Sequence, residues 1–241
     1  MNKLDFRLPD LLVGILLSVV SNFFLLLFGV TPSVALLAGV LFSSFSVIVV
    51  SRFAPKKVLK WLKSVPANVE DFPRLHNVVE GICLNHGLEI PDIYVVESKT
   101  GNAAVIADKH SQALIVTTGA IDSLDLMEME GLAAQLISRC NEKSLPKETI
   151  KAFFWRFPIV SMLRGLESNK NKIWTEEVNV ARLTRYPPGI QKSIQALVSL
   201  GTKIEGVPKS TASLWLMDPD GLEVTKTHDS ANRQVAELEE I

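Results

Sequence analysis

The chain is poor in the residues that build a metal or disulfide centre by local spacing. Its 241 residues include two cysteines, Cys83 and Cys140, and four histidines, His76, His86, His110 and His228. The cysteines form no Cys-x-x-Cys pair and no disulfide framework, which fits a reducing compartment. No two histidines stand at the short spacing of a metal pair, and His86, just before Gly87, reads as the end of a glycine-capped helix. Excess positive charge is also missing: 25 Lys and Arg stand against 26 Asp and Glu, for a net charge of −1. Nucleic-acid binders usually carry a strongly basic balance, so no nucleic-acid partner is expected. Internal repeats and low-complexity tracts are absent as well.

What the chain has in quantity is uncharged apolar sequence, and its mean hydropathy is +0.24. Residues 11–30 and 33–50 contain no charge. About twenty helical residues cross a hydrocarbon core of about 30 Å, so each run is long enough to span a bilayer. "VTPS" joins them, with Thr31 suited to an N-cap and Pro32 to the first helical position. A cleaved signal peptide is a rival reading of the first run, but its core is too long and a second run follows at once. A buried soluble hairpin is the other rival. Lys3 and Arg7 precede the first run, and Arg52, Lys56, Lys57, Lys60 and Lys63 follow the second. By the positive-inside rule both ends face the cytoplasm, and Trp61 suits the interface. Asn22 suits a helix–helix hydrogen bond, or a functional polar site within the span. The expected organisation is a transmembrane hairpin over 1–53, a basic linker over 54–66 and a cytoplasmic domain over 67–241.

That domain reads as α+β. "DFPRLHNVVEGICLNHG" carries Leu75, Val78, Val79, Ile82 and Cys83 at helical period, then Gly87. Residues 91–98, 100–108 and 113–121 read as short strands, the last two joined by the turn "DKHSQ". "SLDLMEMEGLAAQLISRCNEK" reads as a helix capped by Ser123. Its expected apolar stripe is Leu132, Ala133, Leu136, Ile137 and Cys140, opposite a polar stripe of Glu128, Gln135, Arg139 and Glu142. The aromatic and basic segment 147–165 fits either a stretch lying on a membrane surface or an ordinary core helix, kinked at Pro158. "YPPG" separates two further helices, the second with Ile190, Ile194, Leu197 and Val198 on one face. Residues 210–219 suggest a docking strand or short helix, and the tail "THDSANRQVAELEEI" a terminal helix.

The order of these segments resembles the HtpX-type membrane zinc metallopeptidases, relatives of the CAAX prenyl proteases. "GNAAVIAD" is similar to that family's Asn-Ala-Phe-Ala-x-Gly strand, with Asn102 and Ala103 kept. "IVTTGAIDSLDLMEMEG" is similar to its Val-Thr-x-Gly-Leu-Leu run, with Thr118, Gly119 and Glu128 kept. "ARLTRYPPGIQKSIQAL", "STASLWLMDP" and "THDSANRQVAEL" are similar to later family segments in the same order. The resemblance implies a prokaryotic membrane protein with a two-helix transmembrane hairpin. A mainly helical zincin-like domain with a small β-sheet would follow.

The family's zinc motif, His-Glu-x-x-His, aligns on "AAQLISR". Its first histidine falls on Gln135, its glutamate on Leu136 and its second histidine on Arg139. The third ligand, a glutamate, falls on Thr175 and a following aspartate on Glu177; a one-residue shift would bring Glu176 to the ligand position. A catalytic zinc needs about three protein ligands and a general base beside it. Glutamine is a poor zinc ligand, leucine accepts no proton, and arginine carries the metal's own sign of charge. The resemblance with these changes implies a metallopeptidase homologue that has lost catalysis and holds no cofactor, zinc ligands having been lost. It would act as a binding, regulatory or assembly protein at the membrane. Its partners would be the bilayer and membrane proteins, or an active paralogue. A lipid-sensing role is a special form of this reading. The alternative is an active zinc endopeptidase for membrane-protein quality control that uses other ligands.

Glu176, Glu177, Arg139, His228 and Asn102 are the candidates for a residual polar site, and in the enzyme alternative His228 with Glu176 and Glu177 would be the other ligands. Arg139 is expected to replace the ion and pair with Glu177 or Glu176. Otherwise it lies on the solvated face and reaches Glu142 or water.

Overall fold

The computed structural model describes residues 31–108, 110–156 and 188–221, with isolated positions at 18, 19, 22, 27–29 and 183. Most of the first apolar run lies outside the described residues. So do Pro158, the helix expected before "YPPG", and the expected terminal helix. The chain divides into two compact units, Met1–Ala54 and Pro55–Ile241.

In the first unit the sequence signal at "TPS" holds: helix α1 (Pro32–Trp61) opens at the proline, and Ala35 N donates to Thr31 O at 2.9 Å. Its N-terminal half is uncharged, and Ser43 and Ser44 satisfy their hydroxyls on the carbonyls of Gly39 and Val40. Hydroxyls bonded back to their own helix present no polar group to the surroundings. Asn22, expected to bond across to the second helix, donates to Ser18 O at 2.8 Å, four residues back, and lies against Gly39. Among the described residues no helix is long and apolar enough to cross a membrane. The fold alone therefore does not establish the two-span hairpin.

The second unit is α+β. Its sheet is small and mixed, in the order β1-β2-β4-β3, formed by β1 (Val65–Pro66), β2 (Asp92–Val96), β3 (Ala103–Ala107) and β4 (Gln112–Thr117). β2 and β4 are parallel, whereas β1–β2 and β3–β4 are antiparallel. The β3–β4 hairpin turns at Asp108, whose Oδ1 accepts from the backbone N–H groups of His110 and Ser111 at 2.6 and 2.7 Å. Burial works to raise the Asp108 pKa, but these donors outweigh it and hold the carboxyl below its usual range. The side-chain ring closed by Asp108 is why "DKHSQ" reads as a turn.

Helices cover the sheet. α2 (Pro73–His86) buries Leu75, Val79, Ile82 and Cys83 and ends at Gly87, whose φ of 63° is left-handed, as the sequence predicts. α3 (Thr118–Ser123) occupies residues expected to extend the third strand. Thr117 stops that strand by turning its hydroxyl to cap Ala120 N. α4 (Leu126–Cys140) packs on α2, on β3 and β4, and on α6 (Pro188–Ser199). α5 (Leu145–Phe154) buries Leu145, Thr149 and Ala152, so this part of the aromatic segment packs with one face inward. A 3-10 helix over Lys209–Leu214 leads into Trp215. Trp215 bridges to Ala104, and Leu216 N donates to Ala103 O at 2.7 Å, so residues 210–219 supply both a short helix and a strand-like dock.

Candidate functional site

The helix that carries Gln135, Leu136 and Arg139 starts at Asp125, not at the expected Ser123. Asp125 Oδ1 accepts from Glu128 N at 2.7 Å, and Glu128 Oε2 accepts from Asp125 N at 2.9 Å. This reciprocal pair satisfies two orphan donors at once, whereas Ser123 closes the preceding short helix.

The expected division of α4 into an apolar and a polar stripe is not what the structure shows. Every residue from Gly131 to Ile137 is buried, and so are Arg139 and Cys140. The reason lies at Gly131. A Cβ there would fall 2.4 Å from the backbone carbon of Gly189, so α6 lies directly on the Gly131 face of the helix. With α2, the sheet and α6 all in contact, no solvated side remains for Gln135 and Arg139. Glu128 and Glu142, nearer the two ends, keep some solvent contact.

Gln135 is 7 % exposed, and its Oε1 accepts no hydrogen bond among the described residues. Leu136 is fully buried in the core. Arg139 is 2 % exposed, and among the described residues Nη1 donates to Glu142 Oε2 and Nη2 to Glu148 Oε2. The Glu142 carboxylate also accepts from Ser144 Oγ at 3.2 Å. The structure corrects the solvated-face expectation for Arg139. Its partners include Glu142, but in a buried cluster and not on a solvated face. Glu148, the other partner, comes from α5 and was not among the candidates. Glu176 and Glu177, the partners first expected, lie outside the described residues, as do Thr175 and His228.

Burial pushes the Glu148 carboxyl above its ordinary pKa. Arg139 and Lys151 pull it down, and the neighbouring Glu142 charge adds to the rise. Cys140 lies deep beside this cluster. Its thiol is pushed up by burial and further by Cys83, with only Arg139 opposing. Both cysteines are buried and free. Their proximity, across α2 and α4, follows from two helical stripes facing each other and not from their spacing in sequence.

Asn102 is fully buried, and its side chain is completely used. Nδ2 donates to Thr202 O and Met217 O, both at 3.0 Å, while Oδ1 accepts from Ala103 N and Met217 N at 2.9 and 3.1 Å. It ties the start of β3 to two distant loops and has no donor or acceptor left for a ligand. The Asn102 side chain is therefore engaged in holding the fold.

The zinc that the resemblance implies does not fit this helix face. At the motif positions the described residues offer one neutral oxygen donor, the Gln135 amide oxygen. The two carboxylates nearby are already held by a guanidinium, whose positive charge would repel a metal ion. Among the described residues no three His, Cys, Asp or Glu side chains gather as metal ligands would.

Similarity to known proteins accords with the order of these elements. The chain is 25 % identical over 223 residues to a Protease HtpX homolog of Dictyoglomus thermophilum, covering 75 % of this chain and 74 % of the other. It is 24 % identical over 188 residues to the homolog of Dictyoglomus turgidum, 62 % of each chain. The chain is related to the HtpX proteases. A third HtpX homolog, from Tropheryma whipplei, is 24 % identical over 187 residues, 62 % of this chain and 64 % of its own. The matched part is thus slightly under two thirds of the second and third HtpX relatives. No family model matches the chain, and no solved structure does.

Proposed function

We propose that this HtpX relative is a membrane-anchored protein that has lost peptidase chemistry and works by binding, as a regulator or assembly factor for membrane proteins or for an active HtpX-type enzyme. The observation that carries the reading is Arg139, a buried cation fixed between Glu142 and Glu148 on the helix where the family resemblance would put metal ligands. With Leu136 buried beside it, that face offers neither a general base nor an open coordination position.

Support for the anchor comes from α1. It is 30 residues long, uncharged up to Ser51, and Val34, Leu36, Leu37, Val40, Leu41, Phe42 and Phe45 are exposed on it. A row of large exposed apolar side chains on an uncharged helix favours lipid as its solvent. The basic run from Arg52 to Lys63 favours a two-pass orientation with the termini and the main domain cytoplasmic.

The test is metal analysis of the detergent-purified chain, together with casein cleavage with and without a chelator. The expected result is substoichiometric zinc and no chelator-sensitive cleavage. Stoichiometric zinc accompanied by such cleavage overturns the reading. A pull-down from native membranes that returns no reproducible membrane protein counts against the binding role.

A further inference from the structure

Two segments far apart in sequence, each basic and aromatic, are joined in the second unit. The last turns of α1 carry Lys56, Lys57 and Lys60, all exposed, and end at Trp61. The end of α5 carries Lys151, Phe153, Phe154, Trp155 and the exposed Arg156. The Trp61 and Phe153 rings stack, with centroids 5.4 Å apart and planes 8° from parallel. Phe154 meets Phe153 edge-on at 5.6 Å, and Lys151 Nζ stands 5.8 Å from the Trp155 ring centroid. Neither 55–64 nor 149–156 contains an acidic residue. The nearest acid in sequence, Glu148, is turned inward onto Arg139. Lys63 is not counted here, because its ammonium donates to Glu205 O at 3.0 Å.

We propose that this composite surface, built from Lys56, Lys57, Lys60, Trp61, Trp155 and Arg156, docks on the anionic phospholipid headgroups of a bilayer. The inference rests on the membrane reading above and adds a headgroup preference to it. Amphipathic aromatic rings and exposed cations together match a charged membrane interface. In sequence the uncharged stretch 33–50 directly precedes these lysines, the order in which lipid-facing and headgroup-facing residues follow one another under the membrane reading. A nucleic-acid surface is less well matched. Single-strand binding needs aromatic faces open to bases, and the face of Trp61 is covered by Phe153.

The test uses the full chain reconstituted in vesicles of phosphatidylcholine with or without phosphatidylglycerol. Either lipid is brominated in turn, and quenching of tryptophan fluorescence is read after flotation. Brominated phosphatidylglycerol should quench more than brominated phosphatidylcholine at equal mole fraction. The preference should fall roughly fivefold for each cation removed in Lys57→Glu, Lys60→Glu and Arg156→Glu. It should also weaken in about 0.5 M salt, where the screening length drops to a few ångströms. Trp61→Phe and Trp155→Phe identify which ring reports. Equal quenching by the two lipids in a chain that floats overturns this inference alone. A chain that fails to float with any lipid overturns the membrane reading beneath it. Tight binding of single-stranded RNA by the detergent-purified chain, with no lipid preference, assigns the surface to nucleic acid and overturns the proposal.

Discussion

A guanidinium buried to the extent of Arg139 is tolerable only while its carboxylates stay with it. Arg139→Met should cost about 3–5 kcal/mol in denaturant unfolding, because it strands Glu142 and Glu148. Adding Glu148→Met to that variant should restore much of the loss, and a double variant as unstable as the single one would refute the coupling. The cluster also predicts a pH dependence. Burial raises the folded Glu148 pKa, so the folded chain holds that proton more tightly than the unfolded one. Its contribution is full below the ordinary carboxylate range and is lost as pH rises through the raised folded value. Glu148→Gln should flatten the stability–pH curve across that window. Cys83 and Cys140, buried and shifted upward by burial, should resist maleimide at about pH 8 until the chain is unfolded. Labelling of native protein at the rate of a free thiol would contradict their placement. The residue types at 135, 136 and 139 are legible in sequence, and only the family resemblance reads them as zinc-motif positions without their ligands. Their burial is not legible, because a sequence period records which side chains alternate but not how many neighbours press on each side. Glu148 could not be singled out for the same reason: its pairing depends on where α5 crosses the end of α4.

Helices and turns with strong local signals came through from sequence to structure. The Gly87 cap, the Pro32 start and the Asp108 turn each depend on a few adjacent residues, so tertiary contacts had little scope to override them. Sequence pattern extends the third strand past its observed end at Thr117 because Val116 and Ile121 are both apolar, and the hydroxyl of Thr117 that ends the strand is a weak sequence signal. The two-residue β1 is invisible to any periodicity; it exists because Val65 and Pro66 pair with Val95 and Tyr94. Gly131 sets the α4–α6 approach, and Gly131→Ala should destabilise by about 1–3 kcal/mol through overpacking. Thermal melts of that variant beside Ala133→Gly would separate a steric clash from a loss of helix propensity. A Gly131→Ala chain as stable as the parent would mean that the helices can part freely.

For the whole molecule the proposed anchor is the property most open to direct measurement. The full chain should stay with the membrane fraction after washing at about pH 11 and leave it only with detergent, as spanning helices do and surface-bound proteins do not. Release by alkali alone would reduce the hairpin to a peripheral attachment. The position of β3 bears on what this protein can hold. Its outer edge is occupied by its own chain: Ala103 O is taken by Leu216 N, Ala104 bridges Trp215, and Ala107 N donates to Thr149 Oγ1 at 3.2 Å. An extended peptide joins a sheet through main-chain groups left vacant along an edge strand. Here those groups are already engaged, so the sheet is closed to strand addition on that side. A client polypeptide that met this edge would have to be recognised by the identity of its side chains or its lipid surroundings, and could not be gripped there along its backbone.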